Sequence, residues 1–147
     1  MAAARREAPA LSDFPLQSVD KLRYSDTDRL GHVNNAVFST LLETGRVEFL
    51  LSGETPLNAP GSVFVIAKLE LDFLAEVTWP GSVDIGTGVL SVGRSSMLLR
   101  QALFQHGRCV ADATTVLVQM NEESRRPQPL TEETVARLGR LMMLVQA

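Results

Sequence analysis

Residues 24–53 read YSDTDRLGHVNNAVFSTLLETGRVEFLLSG, a polar cluster running into a periodic apolar segment. From Asn34 onward, Val37, Phe38, Leu41, Leu42, Gly45 and Phe49 recur at three- and four-residue spacings, the pattern of an α-helix with one buried stripe. Asparagine is a favoured N-cap and Ser52-Gly53 a suitable stop, which predicts a helix of roughly 17 residues, about 25 Å long. Just ahead of it stand Asp26, Asp28, Gly31, His32, Asn34 and Asn35, residue types that favour turns and caps over helix or strand interiors.

Upstream, LQSVDKLRYSD places Leu16, Val19, Leu22 and Tyr24 in a strand that ends at the aspartates. Residues 1–14 are expected to be a flexible N-terminal segment, and 15–147 a single domain. Downstream, SVFVIAKLELDFLAEV, SVDIGTGVLSVG, SSMLLRQALFQHG and RCVADATTVLVQMN read as four strands, with turns at Trp79-Pro80-Gly81 and His106-Gly107. Gly86 and Gly88 mark a bulge or a close approach to the sheet. After Arg125-Arg126-Pro127 a second helix is predicted: Thr131 caps it, Glu132 and Glu133 suit its first turn, and Val135, Leu138, Met142 and Val145 form a stripe. The order is one strand, one long helix, four strands in meander and a short terminal helix. This is an α+β arrangement in which a curved antiparallel five-stranded sheet wraps one long helix. Its exposed edges call for a dimer.

The 147-residue chain is 45% hydrophobic and 21% charged, with a net charge of −3. That balance speaks against a nucleic-acid-binding surface. No run approaches the roughly 20 apolar residues of a membrane span, and MAAARREAPA lacks the apolar core of a secretory signal, so a cytoplasmic location is expected. The single cysteine, Cys109, cannot form an intramolecular disulfide and reads as a packed residue.

Asp26-x-Asp28-x-Leu30-Gly31 starts like a calcium loop, but Leu30 and Val37 stand where oxygen donors are needed. No cysteine or second histidine lies near enough to His32 for zinc, and no phosphate-binding glycine loop is present, so no metal or cofactor is expected. Asp26 alone reads as a turn residue, Asn34 equally as a cap or a ligand contact, and Glu43 with Arg46 as an exposed ion pair. As a set the cluster suggests more. A helix start offers free N–H groups and partial positive charge, and a carboxylate on the preceding loop can face the same point. One side polarises a carbonyl; the other supplies a nucleophile or base.

The stretch YSDTDRLGHVNNAVFSTLLETGR resembles the signature of hotdog-fold acyl-CoA thioesterases of the 4-hydroxybenzoyl-CoA thioesterase-like family, D-x-D-x-x-G-H-V-N-N-x-x-Y-x-x-x-x-E. ELDFLAEVTWPGSV and VGRSSMLLRQALFQHGRCVADATTVLVQMNEESRRPQPL resemble its later strands, so the likeness covers about residues 16–130. The resemblance implies a hotdog fold, an acyl-CoA substrate cleaved to acid and coenzyme A, and a homodimer or homotetramer with shared active sites. It implies Asp28 as the catalytic carboxylate and the Asn35 amide as the group polarising the thioester. It places Gly31 close to the substrate, and His32 and Asn34 where water or the carboxylate is oriented. Glu76 aligns with a functional carboxylate of plant acyl-carrier-protein thioesterases sharing the GHVNN motif. The family's tyrosine after the asparagines is Phe38 here, and the resemblance places Phe38 and Glu43, with Gly31 and Asn34, among the substrate-binding residues. Two other classes remain open. One is a hydratase or dehydratase built on His32 and Glu43; the other is a non-catalytic acyl-CoA sensor.

Overall fold

The computed structural model describes residues 7–51 and 53–144. Its elements are β1 (Leu16–Lys21), α1 (Asn35–Leu51), β2 (Ser62–Phe73), β3 (Ser82–Val92), β4 (Ser96–Gln105), β5 (Arg108–Asn121) and α2 (Glu132–Gly139). The five strands form one antiparallel sheet in the order β1-β3-β4-β5-β2, with α1 lying across its inner face. This is a hotdog fold.

The long helix agrees with its sequence pattern. It has 17 residues and buries Phe38, Leu41, Leu42, Gly45 and Phe49 as read, with Arg46 added and Val37 only half-buried. A Cβ on Gly45 would stand 2.7 Å from Ile85 and 3.0 Å from Thr87, so the glycine lets the helix settle close onto β3. The hairpin at His106-Gly107 is a two-residue turn with positive φ at both positions (52° and 76°).

Three expectations need correction. The four later strands are not one meander. β3, β4 and β5 are, but β2 pairs with β5 at the far edge, from Ser62↔Asn121 to Phe73↔Ala111. A helix lying across the sheet carries the chain from one edge to the other, and residues 74–81 bring it back to β3, whose outer side β1 already occupies. β1 stops at Lys21, because Tyr24–Asp26 closes into a 3₁₀ turn. The terminal helix stops at Gly139. Val135 is 43% exposed, Met142 instead forms a parallel bridge with Val89, and Val145 lies outside the described residues.

The segment ahead of β1 is more ordered than its composition suggests. Leu11–Asp13 forms a 3₁₀ turn, and Phe14 is 1% exposed against the Phe104 ring. Gly86 accommodates Phe14, and Gly88 accommodates Pro15 and Met143, so these glycines serve close approach. The bulge in β3 falls just beyond them, between Val89 and Ser91. The C-terminal tail continues the β1 side of the sheet, with Met143 N–H donating to Val89 O and Leu144 N–H to Asp13 O. No helix among the described residues is long and apolar enough to cross a membrane.

Candidate active site

The polar cluster is built on Asp26. This aspartate is 5% exposed; its carboxylate accepts from Arg23 N–H (2.7 Å) and Arg23 Nη2 (3.1 Å), and its carbonyl accepts from Asn34 N–H (2.9 Å). It therefore ties the end of β1 to the start of α1. Between these points the chain makes a small excursion closed by a Thr27↔Val33 bridge. Asp28 N–H donates to His32 O (2.8 Å), and Gly31 N–H donates to Asp28 O (3.1 Å). Gly31 has φ 84°, the left-handed conformation such a turn needs. Asp28 Oδ1 accepts from Leu30 N–H (2.8 Å), which fixes the carboxylate; Oδ2 has no protein partner among the described residues.

At the helix start, Asn34 is the cap. Its Oδ1 accepts from Ala36 N–H (2.9 Å) and its carbonyl from Val37 N–H (2.9 Å). That leaves the Asn35 N–H with no acceptor among the described residues. Opposite, residues 74–78 are held on the sheet. Leu74 and Ala75 N–H donate to Val110 O, Val77 O accepts from Val33 N–H, and the buried Gln105 amide both accepts from and donates to the Thr78 backbone. Glu76 projects from this fixed segment, its Oε2 3.0 Å from His32 Nε2.

Asp28, His32, Asn35 and Glu76 thus share one cavity of about 350 Å³, whose apolar side is Leu30, Val33, Phe38, Phe73 and Leu74. Five of the expected site residues meet here: Asp28, His32, Asn35, Phe38 and Glu76. Gly31 and Asn34 shape the cavity without lining it. Glu43 lies further along α1, exposed and away from it, and makes no ion pair with Arg46. Arg46 is instead buried at 9% exposure. Phe38 packs its ring 5.1 Å from Phe73, a contact that needs no hydroxyl. The sequence reading missed Phe73 and Leu74 as lining residues. Their signal is apolar character at the end of β2, just ahead of Glu76.

Arg100, on β4, is committed within the fold. It is 3% exposed and holds Asp112 through Nε (3.2 Å) and Nη2 (3.0 Å). A second depression, about 400 Å³ on the outer face of β2 and β5, is lined by this Asp112, Thr114 and the paired Lys68 and Glu70 (2.8 Å). It offers no activated nucleophile. Cys109 is half-buried, and burial pushes its thiol up, as does the charge of nearby Asp112.

A carboxylate with one free oxygen, an unclaimed helix amide and a His–Glu contact around one cavity define a hotdog protein with the equipment for carbonyl chemistry. A profile of the thioesterase-like superfamily matches residues 22–138, and the chain belongs to that superfamily. It is 25% identical to the uncharacterised YsmA protein of Bacillus subtilis over 135 residues, 85% of this chain and 92% of that protein. The crystal structure of PA5185 from Pseudomonas aeruginosa is similar at TM-score 0.84 and 25% identity, covering 95% of this chain and 99% of that one. A Thermus thermophilus thioesterase solved with coenzyme A and zinc is similar at TM-score 0.74 and 31% identity, over 85% and 98% of the two chains.

Proposed function

We propose that this protein hydrolyses the thioester of an acyl-CoA to the free acid and coenzyme A. The observation that carries the reading is the pairing, in one cavity, of the free Asp28 oxygen with the unclaimed Asn35 amide. The amide receives the oxyanion as the carbonyl carbon becomes tetrahedral. Asp28 either attacks that carbon, expelling the thiolate and leaving an anhydride for water to open, or takes a proton from the attacking water. His32, held by Glu76, sits where it can orient that water. Superfamily membership and the coenzyme A bound by the Thermus relative support the substrate class.

The reading includes a dimer. β2 presents a free edge twelve residues long, beside the exposed Ile66, Phe73 and Leu74. A second copy paired there covers the open side of the cavity and removes the longer of two unprotected edges. A hydratase built on His32 and Glu43 is less well supported, because Glu43 lies outside the cavity and His32 faces Glu76.

The test is thiol release by the purified protein from short, long and aromatic acyl-CoAs, with the hindered Cys109 adding at most one thiol per chain. Steady turnover is expected on at least one class. Tight acyl-CoA binding without release points to a sensor. Water addition to an unsaturated acyl-CoA, with the thioester left intact, points to a hydratase.

A further inference from the structure

Between the two apolar clusters of the core lies a layer of polar side chains: Arg46 from α1, Thr87 from β3, Gln101 from β4 and Thr115 from β5. Gln101 is fully committed. Its Nε2 donates to Leu42 O (3.0 Å) and Thr87 Oγ1 (3.1 Å), and its Oε1 accepts from Arg46 Nη1 (3.3 Å). Arg46 is not. It is 9% exposed, that one neutral acceptor is its sole hydrogen-bond partner among the described residues, and no carboxylate there approaches it within 4.0 Å. Thr115 adds a fully buried hydroxyl with no partner.

A buried guanidinium whose one hydrogen-bond partner is neutral is costly, because its desolvation outweighs the charge of Glu43, which stands beyond ion-pair distance. Desolvation pulls its pKa down, yet arginine keeps its proton in proteins. Its remaining nitrogens are not sealed in, since Thr115 Oγ1 is the only fully buried unpartnered side-chain atom among the described residues. The position therefore suits an incoming anion.

Its place on the helix indicates which anion. Eleven residues at 3.6 per turn bring Arg46 to within about 20° of Asn35 on the helix surface, and about 16 Å along the axis. Thr44, on the opposite side of α1 from Asn35, donates to Asp20 of β1 (3.5 Å). The Asn35–Arg46 flank therefore looks toward β2. There Phe73 meets Phe38, and Ile66 and Phe73 stand 48% and 49% exposed on strand positions whose partners, Leu117 and Ala111, face the core. Phe38, Phe73 and Ile66 thus lie along the flank of α1 that carries Asn35 near one end and Arg46 near the other, an order that suits an acyl chain polar at its tip.

We propose that Arg46 determines specificity by receiving the distal carboxylate of the acyl group, so that the substrates are ω-carboxyacyl-CoAs of medium length. This rests on the hydrolytic reading above. Helical side chains lean toward the N-terminus, so Arg46 reaches back along that flank and meets a tail roughly 10–16 Å from the thioester.

The test compares hydrolysis of octanoyl-, decanoyl- and dodecanoyl-CoA with the ω-carboxylated acyl-CoAs of the same lengths, for wild type and Arg46→Met. Methionine fills the space without charge, a replacement that buried ionic positions tolerate in folding. The wild type is expected to favour the ω-carboxylated series, and Arg46→Met to lower that preference by at least about tenfold, the scale of a lost charge-assisted hydrogen bond. An unchanged preference ratio overturns the proposal. So does a variant that loses its oligomer while both series fall equally, which would assign Arg46 to a carboxylate of a second copy. Should the wild type cleave no thioester, free octanedioate and decanedioate still decide the matter. They are expected to raise the melting temperature of wild type and not of Arg46→Met, and no shift in wild type overturns the proposal.

Discussion

Two aspartates two residues apart do unrelated work. Asp26 is buried and engaged by Arg23, while Asp28 keeps one oxygen free at a cavity. Asp26→Ala leaves the Arg23 N–H without its acceptor at the root of the loop, so it is expected to lower unfolding free energy by about 1–3 kcal/mol in a urea titration. A change within experimental error would remove Asp26 as the anchor. The sequence alone could not separate the pair. Both are turn-favouring carboxylates, and the burial that distinguishes them comes from chain segments far away. Phe38 is legible as part of the buried stripe of α1, and its ring stands 5.1 Å from that of Phe73.

Asn35 can be tested through its backbone. It is the first residue of α1, where proline is well tolerated because the missing N–H has no intrahelical partner. Asn35→Pro should therefore fold normally by circular dichroism while turnover drops about 10²–10³-fold, the usual loss for one oxyanion donor. Normal turnover in a folded variant would acquit the amide.

At the scale of elements, α1 was readable almost residue for residue, since one buried stripe and a cap are local signals. Its close seating on the sheet gives a further prediction. Gly45→Ala gains about 1 kcal/mol of helix propensity. The new methyl, however, meets Ile85 Cγ2 at 2.7 Å and Gln101 Nε2 at 2.9 Å, the first stiff at its branch point and the second bound at both ends of its amide. Overpacking of this kind costs about 1–3 kcal/mol, so a net loss of stability is expected in chemical denaturation, and a gain would show that the interface gives way. The terminal helix is shorter than its pattern predicts because Leu138 and Met142 keep helical spacing although the helix stops at Gly139. In the fold Met142 is apolar for another reason: it lies along β3, where the chain has already left the helix.

For the whole molecule, strand number and the curved sheet around one helix were legible, but the neighbour of β2 was not. Alternation says which face a strand buries and nothing about which strand lies beside it; the crossing of α1 decides that. The result is a sheet with unequal edges. The β1 side is six residues long and is continued by the C-terminal tail, while the β2 side is a twelve-residue strand paired, among the described residues, only with β5. Pairing along β2 predicts that sedimentation equilibrium gives at least twice the chain mass, and a monomer at micromolar concentration would contradict the shared site.

Hydrolysis by this site turns on one carboxylate. The most direct measurement is the steady-state rate of thiol release from the best acyl-CoA by wild type and Asp28→Asn, with melting temperatures recorded for both. Asparagine keeps the shape of the side chain and an acceptor for Leu30 N–H, so the fold should be unchanged, while turnover falls at least about a hundredfold, the scale of positioned acid–base assistance. A folded Asp28→Asn protein releasing thiol at near wild-type rates would take Asp28 out of the mechanism and return it to the loop.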